Sequence, residues 1–108
     1  VDLLGSATAA NYEQALPIAL ADPAVDAAIA LFVPPVAVEA TDVGQAISKA
    51  AAESDGTKPV LAAIVAAHGA PSTLRAEATV PSFAYPEAAA SALGRARRSC
   101  RSFGSSFR

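Results

Sequence analysis

The sequence predicts a layered α/β domain built on a parallel sheet, and three observations carry that expectation. Segments with helical apolar spacing alternate with short apolar runs, the order that a parallel sheet with right-handed crossovers requires. Two of the runs are continuously apolar, as strands covered on both faces are. With 108 residues, 53% hydrophobic and 17% charged, the chain has enough apolar surface for one core and too little length for two. Much of that apolar content is alanine, which suits close helix packing.

The first helix is expected over Thr8 to Ala21. Tyr12, Ala15, Leu16, Ala19 and Leu20 share one face at i, i+3, i+4, i+7 and i+8. Thr8 is the cap residue. Pro17 falls inside this helix and should cost about 3 kcal/mol or force a kink. Asp22-Pro23 ends it.

Ala27 to Val33 then reads as a central parallel strand, stopped by Pro34-Pro35, which offers no ladder donor. A second helix is expected from about Thr41 to Glu53, with Val43, Ala46, Ile47, Ala50 and Ala51 on one face. Thr41 is its expected cap, and Asp42 favours the positive end of the helix. Ser54-Asp55-Gly56-Thr57 is a turn, and Lys58-Pro59 leads into a second buried strand over Val60 to Val65.

From His68 to Thr79 the pattern is irregular, with at most a short helix around Leu74. Val80 to Tyr85 reads as a short edge strand, because Pro81 lacks a donor. Pro86 suits the first turn of a third helix reaching about Arg98. Ser99 to Arg108 has no apolar period and is expected to be a flexible tail. Three strands make a thin sheet, so partner strands are expected upstream of Val1. The absence of methionine points the same way, toward a fragment or processed product.

Composition excludes several function classes. A net charge of −2 gives no electrostatic case for nucleic acid. No stretch approaches the roughly 18 uninterrupted apolar residues of a membrane span, and nothing resembles a targeting segment. The lone Cys100 forms no internal disulfide, which fits a reducing cytoplasm. Arg97, Arg98 and Arg101 stand near it in sequence, but its place in the tail makes it an incidental thiol. There is no glycine-rich phosphate loop, nucleophile elbow or metal-ligand cluster. A phospho-acceptor receiver domain is excluded as well, since the buried strands end in Val-Pro-Pro and Val-Ala-Ala-His rather than in acidic residues.

What remains are the loops beyond the strand ends, where open parallel sheets bind ligands. Gly5-Ser6 precedes a helix whose free amides favour an anion, although ordinary capping explains these residues too. Pro34-Pro35 is either a rigid turn or the wall of a cleft. His68-Gly69 follows the second buried strand, and His68 is the only histidine. Histidine titrates near neutrality, yet no acidic neighbour in sequence orients this ring, and a solvated loop histidine is its ordinary reading.

An ordered series of motifs also stands out: Val1-Asp2-Leu3-Leu4-Gly5, Tyr12 with Ala15-Leu16, Asp22-Pro23-Ala24-Val25-Asp26-Ala27 and Phe32-Val33-Pro34-Pro35. Lys58-Pro59-Val60-Leu61-Ala62 and Val80-Pro81-Ser82-Phe83-Ala84-Tyr85-Pro86-Glu87-Ala88-Ala89 continue it. The series resembles the C-terminal, flavodoxin-like CoA-ligase domain of the NDP-forming acyl-CoA (acetate–CoA) synthetases, relatives of succinyl-CoA synthetase. It spans nearly all of positions 1 to 98.

The resemblance implies a flavodoxin-like three-layer domain that lacks the family's first glycine-rich strand, loop and helix. It implies a reaction in which acyl-CoA, ADP and phosphate interconvert with acid, CoA and ATP. A histidine of a Ser-His-Thr-Gly motif carries the phosphoryl group between a CoA-binding domain and an ATP-grasp domain, and this chain lacks that motif. His68, in Ala-His-Gly-Ala-Pro, is therefore not assigned that role. The chain alone is expected to hold no cofactor and to catalyse nothing. CoA, ATP or ADP and magnesium belong to the full enzyme, and its other domains are the expected partners. Gly5, Ser6, Pro34, Pro35, His68 and Gly69 are the residues the resemblance sets around the phosphohistidine path. Homodimer formation or strand exchange at an unpaired strand stays open. Two further readings remain: a ligand-sensing domain fused to a lysine acetyltransferase, and a structural interaction module. Pro17 and the serine–arginine tail depart from the family pattern.

Overall fold

The computed structural model describes residues 1–35, 39–67 and 80–102. The helix α1 (Ala9–Ala21) leads into the strand β1 (Ala28–Phe32), α2 (Ala40–Glu53) into β2 (Val60–Ile64), and β3 (Ser82–Phe83) into α3 (Pro86–Ser102). The strands form one parallel sheet in the order β1-β2-β3. Ala28 pairs with Val60 and Phe32 with Ile64, while Ala62 and Ala63 pair with Ser82 and Phe83. The predicted α/β class with a parallel sheet and flanking helices is what the structure contains.

Side-chain alternation along β2 divides the core into two layers. Val60, Ala62 and Ile64 join Ala30 and Phe32 of β1, Tyr12, Leu16 and Leu20 of α1, Val43, Ile47 and Ala50 of α2, and Val80. Leu61 and Ala63 point the other way, to Ala89, Phe83 and Leu93. Helices α1 and α2 thus cover one face and α3 the other, a three-layer arrangement. All five residues of β2 are buried, which explains an apolar run without polar alternation.

β1 differs from its expected central place. Among the described residues it pairs only with β2, so it is an edge strand, and Ile29 and Leu31 are 37% and 47% exposed. The run Ala27 to Val33 was expected to be covered twice because it is all apolar. In the fold Ala28, Ala30 and Phe32 lie under α1 and α2, and Ile29 and Leu31 alternate outward.

Local chemistry sets the element ends. The Asn11 Oδ1 accepts the Thr8 backbone N–H at 2.8 Å and the Thr8 hydroxyl at 3.0 Å, fixing the start of α1. Pro17 is accommodated on the exposed side of the continuous helix. At the other end, Lys58 Nζ donates to the carbonyls of Leu20 and Asp22 at 2.8 and 2.7 Å. This cation at the negative end of α1 ties it to the entrance of β2.

The cap of α2 is Glu39 rather than Thr41, which lies inside the first turn beside Asp42. β3 is shorter than the run from Val80 to Tyr85. The Pro81 carbonyl still accepts from the Ala62 N–H at 2.9 Å, and the Tyr85 carbonyl already caps α3. Helix α3 opens at Pro86 as expected but continues to Ser102, so Ser99–Ser102 are helical rather than the start of a flexible tail. Its last turns are exposed and need no apolar period, and Arg101 complements the negative helix end. Residues 103–108 and the short helix expected near Leu74 lie outside the described residues. No helix among the described residues is long and apolar enough to cross a membrane.

Candidate functional site

In a parallel sheet all strands end on one side, and the helix preceding a strand returns its own N-terminus to that side. The Tyr12 hydroxyl, one turn into α1, donates to the Leu31 carbonyl near the end of β1 at 2.8 Å. Its ring also meets Phe32 edge to face, with centroids 5.8 Å apart. This contact seats the start of α1, and the turn before it, beside the outgoing end of β1. Gly5-Ser6 and Pro34-Pro35 therefore belong to the same end of the sheet. The exit of β2 arrives there too, through the Val65 N–H donating to the Phe32 carbonyl at 2.9 Å. His68 and Gly69 lie outside the described residues.

The turn that carries Gly5 and Ser6 is held by its neighbours. Asp2 Oδ1 accepts the Leu4 N–H at 2.8 Å, and the Ala7 N–H reaches the Leu4 carbonyl at 3.2 Å. The left-handed conformation falls on Leu4, with φ 66°, instead of on Gly5. A Cβ added at Gly5 would meet nothing within 4 Å. The glycine is therefore not required by packing, while the exposed Leu4 carries the strain. Pro34 and Pro35 are half-buried.

The described loops of this end carry few charged side chains. Asp2 and Glu39 are the charged side chains among the described residues of its loops. Among the described residues nothing there forms an acid–base pair, and no three of His, Cys, Asp and Glu come together to hold a metal. The groups that titrate away from their ordinary values lie elsewhere, apart from Tyr12, whose phenol burial pushes up. Lys49 is raised by its hydrogen bond to Glu13, at 2.6 Å between exposed side chains of α2 and α1. Asp55 is lowered by its hydrogen bonds from Thr57. Among the described residues this end offers main-chain amides at a helix start and a rim of small and rigid residues.

The sequence marked Tyr12 for the apolar face of α1 and in the motif series but not for its bond to β1, and it did not mark the uncovered side of β1. A groove of about 430 Å³ runs along that side, lined by Val1–Leu4, by Tyr12, Ala15, Leu16 and Ala19 of α1, and by the edge from Ala27 to Leu31. The available signal was the alternation of size in Ala28-Ile29-Ala30-Leu31, which a purely apolar reading hides. The chain matches no family model, no curated protein and no solved structure.

Proposed function

We propose that this chain is a flavodoxin-like CoA-ligase domain of an NDP-forming acyl-CoA synthetase, serving as a scaffold and docking domain around the path of the phosphohistidine. The observation that supports this reading is where the ordered motifs fall. Val1-Asp2 stands before α1, Asp22-Pro23 at its end, Val33-Pro34-Pro35 at the exit of β1 and Lys58-Pro59 at the entrance of β2. Ser82-Phe83 is β3 itself, and Pro86 opens α3. Each of these motifs stands at the start, the end or the body of an element.

In this reading the Gly5-Ser6, Pro34-Pro35 and His68-Gly69 loops form the rim of the cleft. The phosphohistidine, CoA, nucleotide and magnesium are held by the CoA-binding and ATP-grasp domains, and the protein is cytoplasmic. The loop residues named for the rim, Gly5-Ser6, Pro34-Pro35 and His68-Gly69, include no carboxylate that would repel a passing phosphoryl group. The test is turnover of acetate, CoA and ATP by the full-length protein and by its Pro34→Ala, Pro35→Ala and Ser6→Ala variants. Lowered turnover in folded variants supports the rim assignment, and unchanged kinetics removes it. Absence of any synthetase activity, with CoA still bound, transfers the domain to the ligand-sensing reading.

One observation favours the plainer interaction-module reading. The outer side of β1 presents Ile29, Leu31 and Val33 to solvent, more apolar surface than a finished sheet edge shows.

A further inference from the structure

Charge is segregated along this chain. All ten acidic residues and three of the eight basic ones lie in 1–93, a net −7, while 94–108 hold the other five, all arginine, and no acid. Four of those arginines fall in the closing half of α3, where Arg95, Arg97 and Arg101 are exposed. Arg97 and Arg101 stand one turn apart on a shared face. Among the described residues neither meets a carboxylate, and the ion pair found there joins Lys49 to Glu13. Seventeen residues make α3 about 26 Å long against about 17 Å for the five of β2, so its last turns run past the sheet. Ala96 is accordingly exposed, although it continues the stripe of Ala89 and Leu93 that packs on β2.

A surface of the opposite sign lies at the same end of the sheet. Helices α1 and α2 finish where β1 and β2 begin, and α3 starts at the outgoing end of β3 and returns to that side. Between the C-terminal ends of α1 and α2 is a slot of about 350 Å³, floored by Pro17, Leu20, Ala21 and Ala50, with Glu53 and Asp55 exposed at its rim. Neither helix has a basic residue in its last turn, so both negative helix ends add to the carboxylates. The nearby lysines are engaged: Lys58 donates to the carbonyls of Leu20 and Asp22, and Lys49 to Glu13. Both Thr57 bonds fall on Oδ1 of Asp55, which leaves Oδ2 for a further donor.

We infer that the end of α3 docks a second copy of this chain, with Arg97 and Arg101 entering that copy's slot to meet Glu53 and Asp55. A guanidinium grips a carboxylate with two parallel bonds, and the apolar floor takes the methylene stems. Slot and arginines share one end of the molecule but lie on opposite faces of the sheet. A two-fold axis in the sheet plane and across the strands therefore makes both contacts at once and closes the assembly at a dimer. An axis normal to the sheet would set acid against acid. Nucleic acid or an anionic bilayer answers the arginines but leaves the slot empty, whereas a second copy answers both. The inference does not rest on the synthetase reading, which concerns the outgoing end of the strands.

Sedimentation equilibrium of the 108-residue chain tests it, with the fold of each variant checked by its amide NMR spectrum. A dimer is expected at low salt, weakened about tenfold at about 0.5 M salt. The double variant Arg97→Glu, Arg101→Glu and the double variant Glu53→Arg, Asp55→Arg are each expected to raise the dissociation constant at least about tenfold. Mixed in equal amounts, the two regain opposite charges at both contacts and are expected to restore the dimer as a heterodimer. A chain that stays monomeric at millimolar concentration overturns the proposal. So does a dimer that both variants leave intact, or one that mixing fails to restore. Slot amides that respond to the arginine reversal equally at all concentrations place the contact within one chain, and also overturn it.

Discussion

The Tyr12 hydroxyl and the Leu31 carbonyl, 2.8 Å apart, join the first turn of α1 to the free side of β1. The bond lies across the only side of the sheet's first strand that no other strand satisfies among the described residues. Tyr12→Phe keeps the edge-to-face contact with Phe32 and removes only this bond. A loss of about 1 kcal/mol in urea unfolding is expected, with faster hydrogen exchange at β1. A pH signature accompanies it. Burial raises the Tyr12 phenol above its ordinary 10.0, so its contribution is whole below that pH and is lost as pH rises through the folded value. The phenylalanine variant should lack that alkaline loss.

Pro17 leaves the Glu13 carbonyl without its helical donor, since proline has no N–H four residues on. Pro17→Ala restores the bond at an exposed position. Stabilisation by about 1–3 kcal/mol is expected, the lower end allowing for the greater freedom alanine gives the unfolded chain. A melting temperature unchanged or lowered would show that α1 has adapted fully to the proline.

Ile47 is fully buried between α2 and the sheet, while Ile18 is 73% exposed on the far side of α1. Ile47→Ala is expected to cost about 2–5 kcal/mol, much of the stability of a domain this size. Ile18→Ala should stay within about 0.5 kcal/mol. Chemical denaturation of the two variants side by side measures the difference between burial and hydrophobicity alone.

Gly56 has φ 74°, and a Cβ there would meet no atom within 4 Å. The penalty for Gly56→Ala is therefore conformational, about 1–2 kcal/mol, and Gly56→Asn should cost less. In the same turn, Thr57 donates to Asp55 from its hydroxyl at 2.7 Å and its backbone at 3.1 Å. These bonds lower the Asp55 carboxyl, so their stabilising effect is present above its ordinary 3.8 and lost as pH falls through the folded value. Thr57→Val should move the Asp55 titration upward, as read by carboxyl NMR.

The elements with a strong local signal were legible in the sequence. Tyr12, Leu16 and Leu20 carry the period of α1, Val43, Ile47 and Ala50 that of α2, and both stretches are helices with those residues buried. Pro34, Pro59 and Pro86 mark ends of β1, β2 and α3 for the chemical reasons that make proline a boundary. The neighbours of a strand were not legible. Apolar composition says that Ile29 and Leu31 prefer cover, and only the sheet order shows how little they receive. The helical turn from Ser99 to Ser102 was hidden for the opposite reason, because a largely exposed helix end needs no apolar period. At the candidate site, the sequence named Gly5, Ser6, Pro34 and Pro35 only for their places in loops. The Tyr12 contact that brings their loops to one end joins residues too far apart in sequence for any spacing to announce.

The register of the sheet also sets the order in which the molecule can assemble. Every β1–β2 pair joins residues roughly thirty apart, with α2 between them, and no pair in the sheet is a local hairpin. β1 gains no ladder until that long loop has closed, while β2 pairs with the two-residue β3 across about twenty residues. The rate-limiting event is then the docking of α2 while β1 and β2 meet. Substitutions at Ile47 should slow folding, whereas those at Phe83 should act mainly by hastening unfolding.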